Sequence, residues 1–364
     1  MSRLRVLWLS PWMRPLARVY AEALGAAGAQ VLLVTSDQHP SSDGRRDYEL
    51  VLDPRPKSLP TWPDTARAAL RVKDFAPDVV VSELVRDPRW LAFAPRAPRV
   101  ELVHDDRPHD AGELRPGWER VLFGFRSRGS RSLAFSRYVA EQVGADEMIP
   151  LTSDLADAEV PPFVSAAHRR DFVLLGRLNG YKNIDVCLQA WQQHTAGPGW
   201  AGDNLVLVGD GEWRGSLPEH VVWQRKPFRY ETVLPLLARA KGSVVHYRRA
   251  SQSGVQVLSM QLGVVPIVST AGALPEFQPA AEPAIGIDDV TVWSGRSTRS
   301  PTLTPRRRAA RKPKHIIAEG IPRQSQRVRC WRCSTGLSSG EAEPQLGKTC
   351  PPPGDVECLG TLPG

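Results

Sequence analysis

Two cations follow a buried apolar segment in residues 172–185, which read FVLLGRLNGYKNID. The run 172–175 predicts a central strand of a parallel sheet, and Gly176 lets the chain turn sharply as it leaves that sheet. Ligands of open α/β sheets collect at the carboxyl ends of the strands. Arg177 offers a planar fork of donors and Lys182 a mobile point charge, and together they suit a diphosphate with about two negative charges. The segment therefore predicts a phosphate site.

The elements around this segment repeat in the order strand, helix, strand. After the two cations, Ile184, Cys187, Leu188 and Trp191 fall at helical spacing, which predicts a helix with one buried face and a favourable N-terminal dipole. The N-terminal half shows the same alternation, with strands at 4–10, 31–35, 78–82 and 100–103 and a helix at about 63–74. The pattern predicts an α/β protein with parallel, doubly wound sheets.

Further motifs follow in a fixed order along the chain. They are GRL-x3-KN at 176–183, LVLVGDGEW at 205–213, GVVPIVS at 263–269, AGALPE at 271–276 and, in the N-terminal half, RVELVHD at 99–105 and LAFSRYVAEQV at 133–143. Taken singly, the Arg-x4-Lys of the first motif is also typical of a solvated loop, and the Gly-Asp-Gly of the second is typical of a turn. Taken in this order, over roughly residues 4–289, they resemble the GT-B glycosyltransferases of family 4.

This resemblance implies a fold of two Rossmann-like domains that face a central cleft. It implies transfer of a sugar from a nucleotide-diphosphate sugar to a hydroxyl acceptor with retention, without a further cofactor or a bound metal. Arg177 and Lys182 would stabilise the leaving diphosphate, and His104 would orient the acceptor hydroxyl or contact the sugar, although a histidine after a strand also commonly caps a loop. The donor-binding residues implied are Gly176, Arg177, Lys182, Gly209, Asp210, Gly211, Ser251, Gly254, Ser259 and Glu276.

One departure from the family concerns two glutamates separated by seven residues, one near the donor sugar and one on its ribose. Alignment on Gly254 places Ser251 and Ser259 at these positions, whereas counting back from Gly263 places Ala250 and Leu258 there. Neither alignment supplies a carboxylate. An alternative function is therefore a glycosyltransferase-like protein that binds a nucleotide or a partner without turnover. A third interpretation is another two-Rossmann-domain enzyme, such as a nucleotide-sugar epimerase. The absence of GxGxxG after the first strand disfavours a dinucleotide-dependent dehydrogenase.

The predicted domain limits are residues 1–155 for the acceptor domain, 156–170 for a connection, 171–289 for an incomplete donor domain and 290–364 for a disordered tail. Lys and Arg number 47 in the chain and 13 in the tail, while Asp and Glu number 39 and 5, so residues 1–289 hold 34 of each and the net charge of +8 lies in the tail. The body therefore gives no reason to expect nucleic-acid binding.

The tail permits several interpretations. The basic segment 306–314 suits anionic lipid or nucleic acid, and the spacing Cys330-x2-Cys333-x16-Cys350-x7-Cys358 contains one pair typical of zinc, while the composition favours disorder. A change of reading frame near Val290 would also explain it, since one choice of codons from Thr291 onward gives an amphipathic helix in another frame. The sequence of the coding DNA tests that hypothesis.

Composition and hydropathy indicate a cytoplasmic protein. No run of eighteen apolar residues occurs in the sequence, and the N-terminal apolar stretch is broken at Pro11. Contact with the inner face of a membrane is a further expectation from the resemblance, because many members of the family build surface polysaccharides or glycolipids. The acceptor would meet loops of the N-terminal half, including Trp12 and residues 107–117.

Overall fold

The structure is a computed structural model that describes residues 3–39, 42–53, 59–85, 90, 93, 97–107, 130–225 and 229–297. All of these residues belong to one compact unit, Met1–Gly320. Two parallel β-sheets with packed helices account for most of it.

The first sheet is formed by the N-terminal half of the chain. Its strands run in the order β3-β2-β1-β4-β5-β6-β7 and every neighbouring pair is parallel. The strands are β1 (Arg5–Ser10), β2 (Gln30–Thr35), β3 (Glu49–Val51), β4 (Val79–Glu83), β5 (Arg99–Val103), β6 (Arg131–Ala134) and β7 (Glu147–Met148). Near-continuous burial along β1 and β4 shows that helices or loops cover both faces of the sheet centre.

Three helices of the described residues accompany this sheet, namely α1 (Arg14–Ala26), α2 (Trp62–Phe75) and α3 (Arg137–Val143). Proline lies in the first turn of α1 and of α2, where its missing N–H costs nothing. The Ser136 hydroxyl accepts a hydrogen bond from the Val139 N–H at the start of α3, and Gly144 ends that helix in the left-handed conformation. The observed bounds of α2 confirm the predicted helix at about 63–74, and those of β1, β2, β4 and β5 confirm the four predicted strands of this half.

The second sheet has the strand order β10-β9-β8-β11-β12, again parallel throughout. Its strands are β8 (Arg170–Leu175), β9 (Leu205–Val208), β10 (Val221–Gln224), β11 (Ala240–Val245) and β12 (Val265–Val268). The helices beside it are α4 (Ile184–Ala196), α5 (Tyr230–Ala238), α6 (Gly254–Gln261) and α7 (Val290–Ser297). The α/β class with two Rossmann-like sheets is thus confirmed. Between β7 and β8 the chain forms only two short 3-10 turns, Asp157–Glu159 and Ala166–His168.

Helix α7 corrects the predicted start of the tail at residue 290. Trp293 is completely buried, and its ring centroid lies 6.4 Å from that of Trp191 on α4. A single buried tryptophan produces no periodic pattern, so the sequence gives no local signal for this helix. The tail interpretations that concern residues 298–364, including the basic segment and the four cysteines, lie outside the described residues.

Candidate functional site

A cavity of about 340 Å³ lies where elements of both sheets meet. Met13, Leu16, His39 and His104 line it from the first half of the chain. Leu151, Thr152 and Asp154 line it from the segment between β7 and β8. The second half contributes a larger set: Leu175, Tyr181, Lys182, Tyr230, Tyr247, Arg249, Ala250, Gln252, Ser253, Gly254, Val255 and Leu258. The cavity therefore lies at the carboxyl ends of β8 and β11, where an open α/β sheet binds ligands.

Lys182 is an unusual group in this cavity, because its ammonium is buried and no acidic side chain of the described residues pairs with it. The residue is 4% exposed, and its Nζ donates to the Leu175 carbonyl at 2.9 Å and to the Tyr247 hydroxyl at 2.7 Å. Nζ also lies 4.1 Å from the centroid of the Tyr247 ring. No carboxylate of the described residues forms an ion pair with it. Burial is the main influence on this group and lowers the pKa of the ammonium below its usual 10.5.

The loop that carries Lys182 is held by its surroundings. Asn183 adopts the left-handed conformation, with φ of +56°, and its side chain bonds the Arg248 Nε and the Ile287 carbonyl, both at 2.7 Å. At the beginning of the loop Gly176 has φ of +101°, and a Cβ there would lie 3.1 Å from Lys182 Nζ. Glycine at this position therefore allows the lysine to fold back over the end of β8.

Arg177 occupies a different environment from Lys182. It is exposed and does not belong to the cavity lining. It lies close enough for its charge to oppose protonation of Lys182. The two predicted phosphate ligands are thus neighbours, but only the lysine is buried in the cavity.

The Gly209-Asp210-Gly211 turn packs against the loop that carries Lys182, and none of its three residues lines the cavity. A Cβ on Gly209 would come within 2.3 Å of the Gly176 carbonyl oxygen, and one on Gly211 within 2.5 Å of the Leu178 nitrogen. The backbone carbonyl of Asp210, whose side chain is exposed, accepts from the Leu178 N–H at 2.7 Å. These glycines therefore permit close packing of two loops, which is a positioning role.

His104 lines the cavity from the end of β5. Its Nε2 lies 2.7 Å from an oxygen of Glu83, a carboxylate that is completely buried and also accepts from the Trp8 indole N–H at 3.2 Å. The imidazole also packs against the ring of Phe135 in a T-shaped arrangement, with 4.7 Å between the ring centroids. The ring is therefore fixed on two sides, as a group that orients a ligand must be.

The two alternative positions for the family glutamates are distinguished by the geometry. Ser251 and Ser259 are both buried away from the cavity. The Ser251 hydroxyl donates to Asp106 at 2.8 Å, and the Ser259 hydroxyl donates to the Val255 carbonyl of its own helix at 2.6 Å. Neither serine lines the cavity, whereas Ala250 and Leu258 both do. Of the two alternative pairs of positions, the cavity is therefore lined by the apolar pair and not by the serines, and neither pair provides a carboxylate.

Helix α6 directs its N-terminus toward the cavity. Gly254, the first residue of the helix, lines the cavity, and the Ser253 hydroxyl before it caps the Gln256 N–H at 3.4 Å. A helix N-terminus favours negative charge. Gly254 and Lys182 both line the cavity, so the cavity combines a helix N-terminus with a cation, and both favour an anionic ligand.

Glu276 does not line the cavity. Its carboxylate accepts hydrogen bonds from the backbone N–H groups of Arg137 at 2.8 Å and Tyr138 at 2.6 Å, the first residues of α3. It therefore caps a helix of the first sheet from the 3-10 turn Leu274–Phe277. The partners are 138 and 139 residues away in the sequence, so no local pattern indicated this contact.

Sequence reasoning missed Tyr247, Arg249 and Gln252, which line the cavity after the end of β11. A signal was present, because β11 is the neighbour of β8 and the segment HYRR at 246–249 brings cations to the same sheet edge. Burial raises the pKa of the Tyr247 phenol, which stays protonated as it accepts from Lys182.

The acceptor-side expectations are only partly covered by the structure. Trp12 is partly buried and precedes Met13, which lines the cavity. Of the predicted loop 107–117, only Arg107 belongs to the described residues. The Tyr230 hydroxyl, from the second half of the chain, donates a hydrogen bond to the Asp154 carboxylate, and burial lowers the pKa of His39 in the first half.

Solved structures provide matches, whereas no protein-family model and no curated protein sequence matches the chain. AviGT4, a glycosyltransferase involved in avilamycin A biosynthesis, matches with 17% identity and a TM-score of 0.55 over 90% of this chain and 98% of its own. Sucrose-phosphate synthase from Thermosynechococcus elongatus has 14% identity and a TM-score of 0.55 over 91% and 99%. WaaG, a glycosyltransferase involved in lipopolysaccharide biosynthesis, has 13% identity and a TM-score of 0.53 over 91% and 100%.

These matches show the fold of the chain, which is the GT-B fold of two Rossmann-like domains. Membership of family 4 stays a prediction. Within the described residues, no helix combines the length and apolar character needed to cross a bilayer.

Proposed function

We propose that this chain is a glycosyltransferase that moves a sugar from a nucleotide-diphosphate sugar to a hydroxyl acceptor. One observation carries the proposal, namely the buried Lys182 ammonium, which has no acidic partner among the described residues and lies in a cavity beside the N-terminus of α6. Burying a cation is costly unless an anion compensates it. A diphosphate bound in the cavity would supply that anion.

The structural neighbours support the same class of reaction. AviGT4 and WaaG are glycosyltransferases, and a structure with a TM-score of 0.53 and 11% identity is a trehalose-6-phosphate protein of E. coli bound with UDP-2-fluoro glucose. On this proposal the bond from the anomeric carbon to the diphosphate breaks and a bond to the acceptor oxygen forms. The acceptor proton passes to the leaving phosphate, with retention of configuration as the resemblance implies.

Each residue then has a defined role. Lys182 neutralises the charge that develops on the departing phosphate, and Arg177 adds a more distant, screened charge. His104, fixed by Glu83, orients the acceptor hydroxyl or the transferred sugar from the opposite wall. The acceptor would belong to polysaccharide, glycolipid or glycoside synthesis, and transfer would take place in the cytoplasm at the inner face of the membrane.

A second function is favoured by the apolar lining at Ala250 and Leu258. A carboxylate can hold two ribose hydroxyls, whereas these side chains form no hydrogen bonds. The alternative is a protein that binds a nucleotide or a partner without turnover.

Calorimetric titration with UDP, GDP, ADP and TDP tests the proposal, followed by a transfer assay with the sugars of the nucleotide that binds. We expect selective binding of one nucleotide, weakened in Lys182→Met and unchanged in Lys73→Met, the same replacement at an exposed position of α2. Binding without any sugar transfer or donor hydrolysis would favour the second function. No binding of any nucleotide by the folded protein would contradict both.

A further inference from the structure

Asp154 is the acidic residue among the described residues that line the cavity. It lies in the segment between β7 and β8 and is partly exposed. Its Oδ1 accepts a hydrogen bond from the Tyr230 hydroxyl, whereas Oδ2 has no hydrogen-bond partner among the described residues and is not one of the fully buried polar atoms. No cation of the described residues forms an ion pair with this carboxylate. The cavity wall therefore keeps an accessible acceptor.

Two hydrogen bonds show where this carboxylate lies along helix α6. Gln252, which precedes the helix, donates from Nε2 to the His104 carbonyl at 2.6 Å. Gln261, the last residue of the helix, donates from Nε2 to the Leu155 carbonyl at 3.1 Å, and Leu155 directly follows Asp154. The His104 side and the Asp154 side of the cavity therefore lie toward opposite ends of α6.

A nucleotide sugar would extend toward both of these sides. On the proposed function its diphosphate lies at Lys182 and the first residue of α6, with the transferred sugar on one side and the ribose on the other. His104 is assigned to the transferred sugar or the acceptor hydroxyl, so the Asp154 side is left for the ribose. Leu258, about 6 Å along α6 from its first residue, also lines the cavity, so the cavity extends in that direction.

Ribose carries the groups that this carboxylate requires. Its neighbouring 2′- and 3′-hydroxyls can donate hydrogen bonds, and an ionised carboxylate is an acceptor only. Because a phenol already holds Oδ1 of Asp154, Oδ2 is the oxygen left to accept from the ribose. The apolar side chains of Ala250 and Leu258 cannot form such bonds, so Asp154 is the charged acceptor that the described lining offers.

We propose that Asp154 binds the ribose of the donor nucleotide, with Oδ2 accepting from the 2′- or the 3′-hydroxyl and Tyr230 holding the carboxylate in place. This inference rests on the proposed function. It goes beyond that function by naming the residue that recognises the ribose hydroxyls.

The test compares matched nucleotides by calorimetry on the full chain. UDP, GDP and ADP are each titrated beside their 2′-deoxy and 3′-deoxy forms, and TDP, which already lacks the 2′-hydroxyl, beside its 3′-deoxy form. The variants are Asp154→Asn, which keeps the shape of the side chain and an acceptor for Tyr230, and Tyr230→Phe, which removes the hydroxyl that holds the carboxylate. The control is Asp74→Asn, the same replacement at an exposed position of α2.

We expect the nucleotide to bind roughly tenfold or more tightly than a form that lacks the recognised hydroxyl, since a hydrogen bond to a charged group has that effect. Asp154→Asn brings this ratio close to one without weakening the deoxy form, Tyr230→Phe lowers the ratio in part, and Asp74→Asn leaves it unchanged. A purely structural role of Asp154 would leave the ratio unchanged, because it would affect all forms of the nucleotide equally.

Two results would overturn the inference while leaving the proposed function intact. One is a nucleoside diphosphate that the unaltered protein binds equally well with and without each ribose hydroxyl, a comparison that does not depend on the folding of any variant. The other is an unchanged ratio in folded Asp154→Asn, which would assign Asp154 to the base, to the acceptor or to the fold. If no nucleoside diphosphate binds at all, the proposed function fails, and the inference fails with it.

Discussion

Replacement of Lys182 by methionine tests whether the buried ammonium holds the diphosphate. Methionine keeps an unbranched side chain in the same space and removes the charge and its donors. A hydrogen bond between charged groups contributes about 1.5–3 kcal/mol, so the variant should bind the nucleoside diphosphate roughly 10- to 150-fold more weakly. The variant Lys73→Met, at an exposed site, should bind as the unaltered protein does.

Protonation provides a second, more specific readout of the same variant. Burial lowers the pKa of Lys182 in the free protein, and a bound diphosphate raises it again by supplying negative charge. Binding is therefore coupled to proton uptake, and affinity should fall as the pH rises through the lowered pKa. Calorimetry between about pH 7 and about pH 10, in buffers with different ionisation enthalpies, measures this uptake.

A Lys182→Met protein that is folded and binds the nucleotide with unchanged affinity would show that the ammonium does not hold the diphosphate. Equal proton uptake in the variant and in the unaltered protein would show the same. Circular dichroism and thermal unfolding of both proteins establish that each is folded before binding is compared.

Four further outcomes follow from the geometry. Arg177→Ala should weaken nucleotide binding by no more than about fivefold in the same titration, because an exposed charge contributes only about 0.2–1 kcal/mol. His104→Ala should leave nucleotide affinity unchanged and lower the rate of sugar transfer by roughly a hundredfold, and a loss of affinity instead would place it on the nucleotide. Gly209→Ala should lower the free energy of unfolding by about 1–3 kcal/mol in denaturant titration, because its Cβ would meet the Gly176 carbonyl at 2.3 Å; unchanged stability would contradict the packing. Burial opposes ionisation of Glu49, but hydrogen bonds from two arginine side chains outweigh it and lower the pKa to about 2. Since the unfolded value is 4.5, up to about 3 kcal/mol of stability should be lost as the pH falls from 4.5 toward about 2, and Glu49→Gln should lessen that loss in acid unfolding.

Much of the fold was predictable because local patterns determine it. The buried apolar runs of β1 and β8 and the helical spacing of α4 are properties of neighbouring residues, and each gave the correct element. The site was predictable where it follows directly from a strand end, as with Lys182 after β8 and His104 after β5. In both cases the residue follows the end of a parallel strand, so it must lie near the carboxyl edge of its sheet, where ligands bind.

The remaining contacts depend on residues far apart in the sequence. Glu276 caps α3, and Ser251 bonds Asp106 across 145 positions, so neither role had a local signal. Whether Ser259 or Leu258 lines the cavity depends on how α6 is rotated about its axis, and a motif alignment does not determine that rotation. Trp293 shows the same limitation, because its burial depends on Trp191 of a distant helix.

The most direct test of the account is a crystal structure of the complex with the nucleoside diphosphate that calorimetry selects. We predict a phosphate oxygen within about 2.7–3.2 Å of Lys182 Nζ, in the cavity beside Gly254 at the start of α6. A nucleotide bound outside this cavity, with Lys182 still bonded only to the Leu175 carbonyl and the Tyr247 hydroxyl, would contradict it.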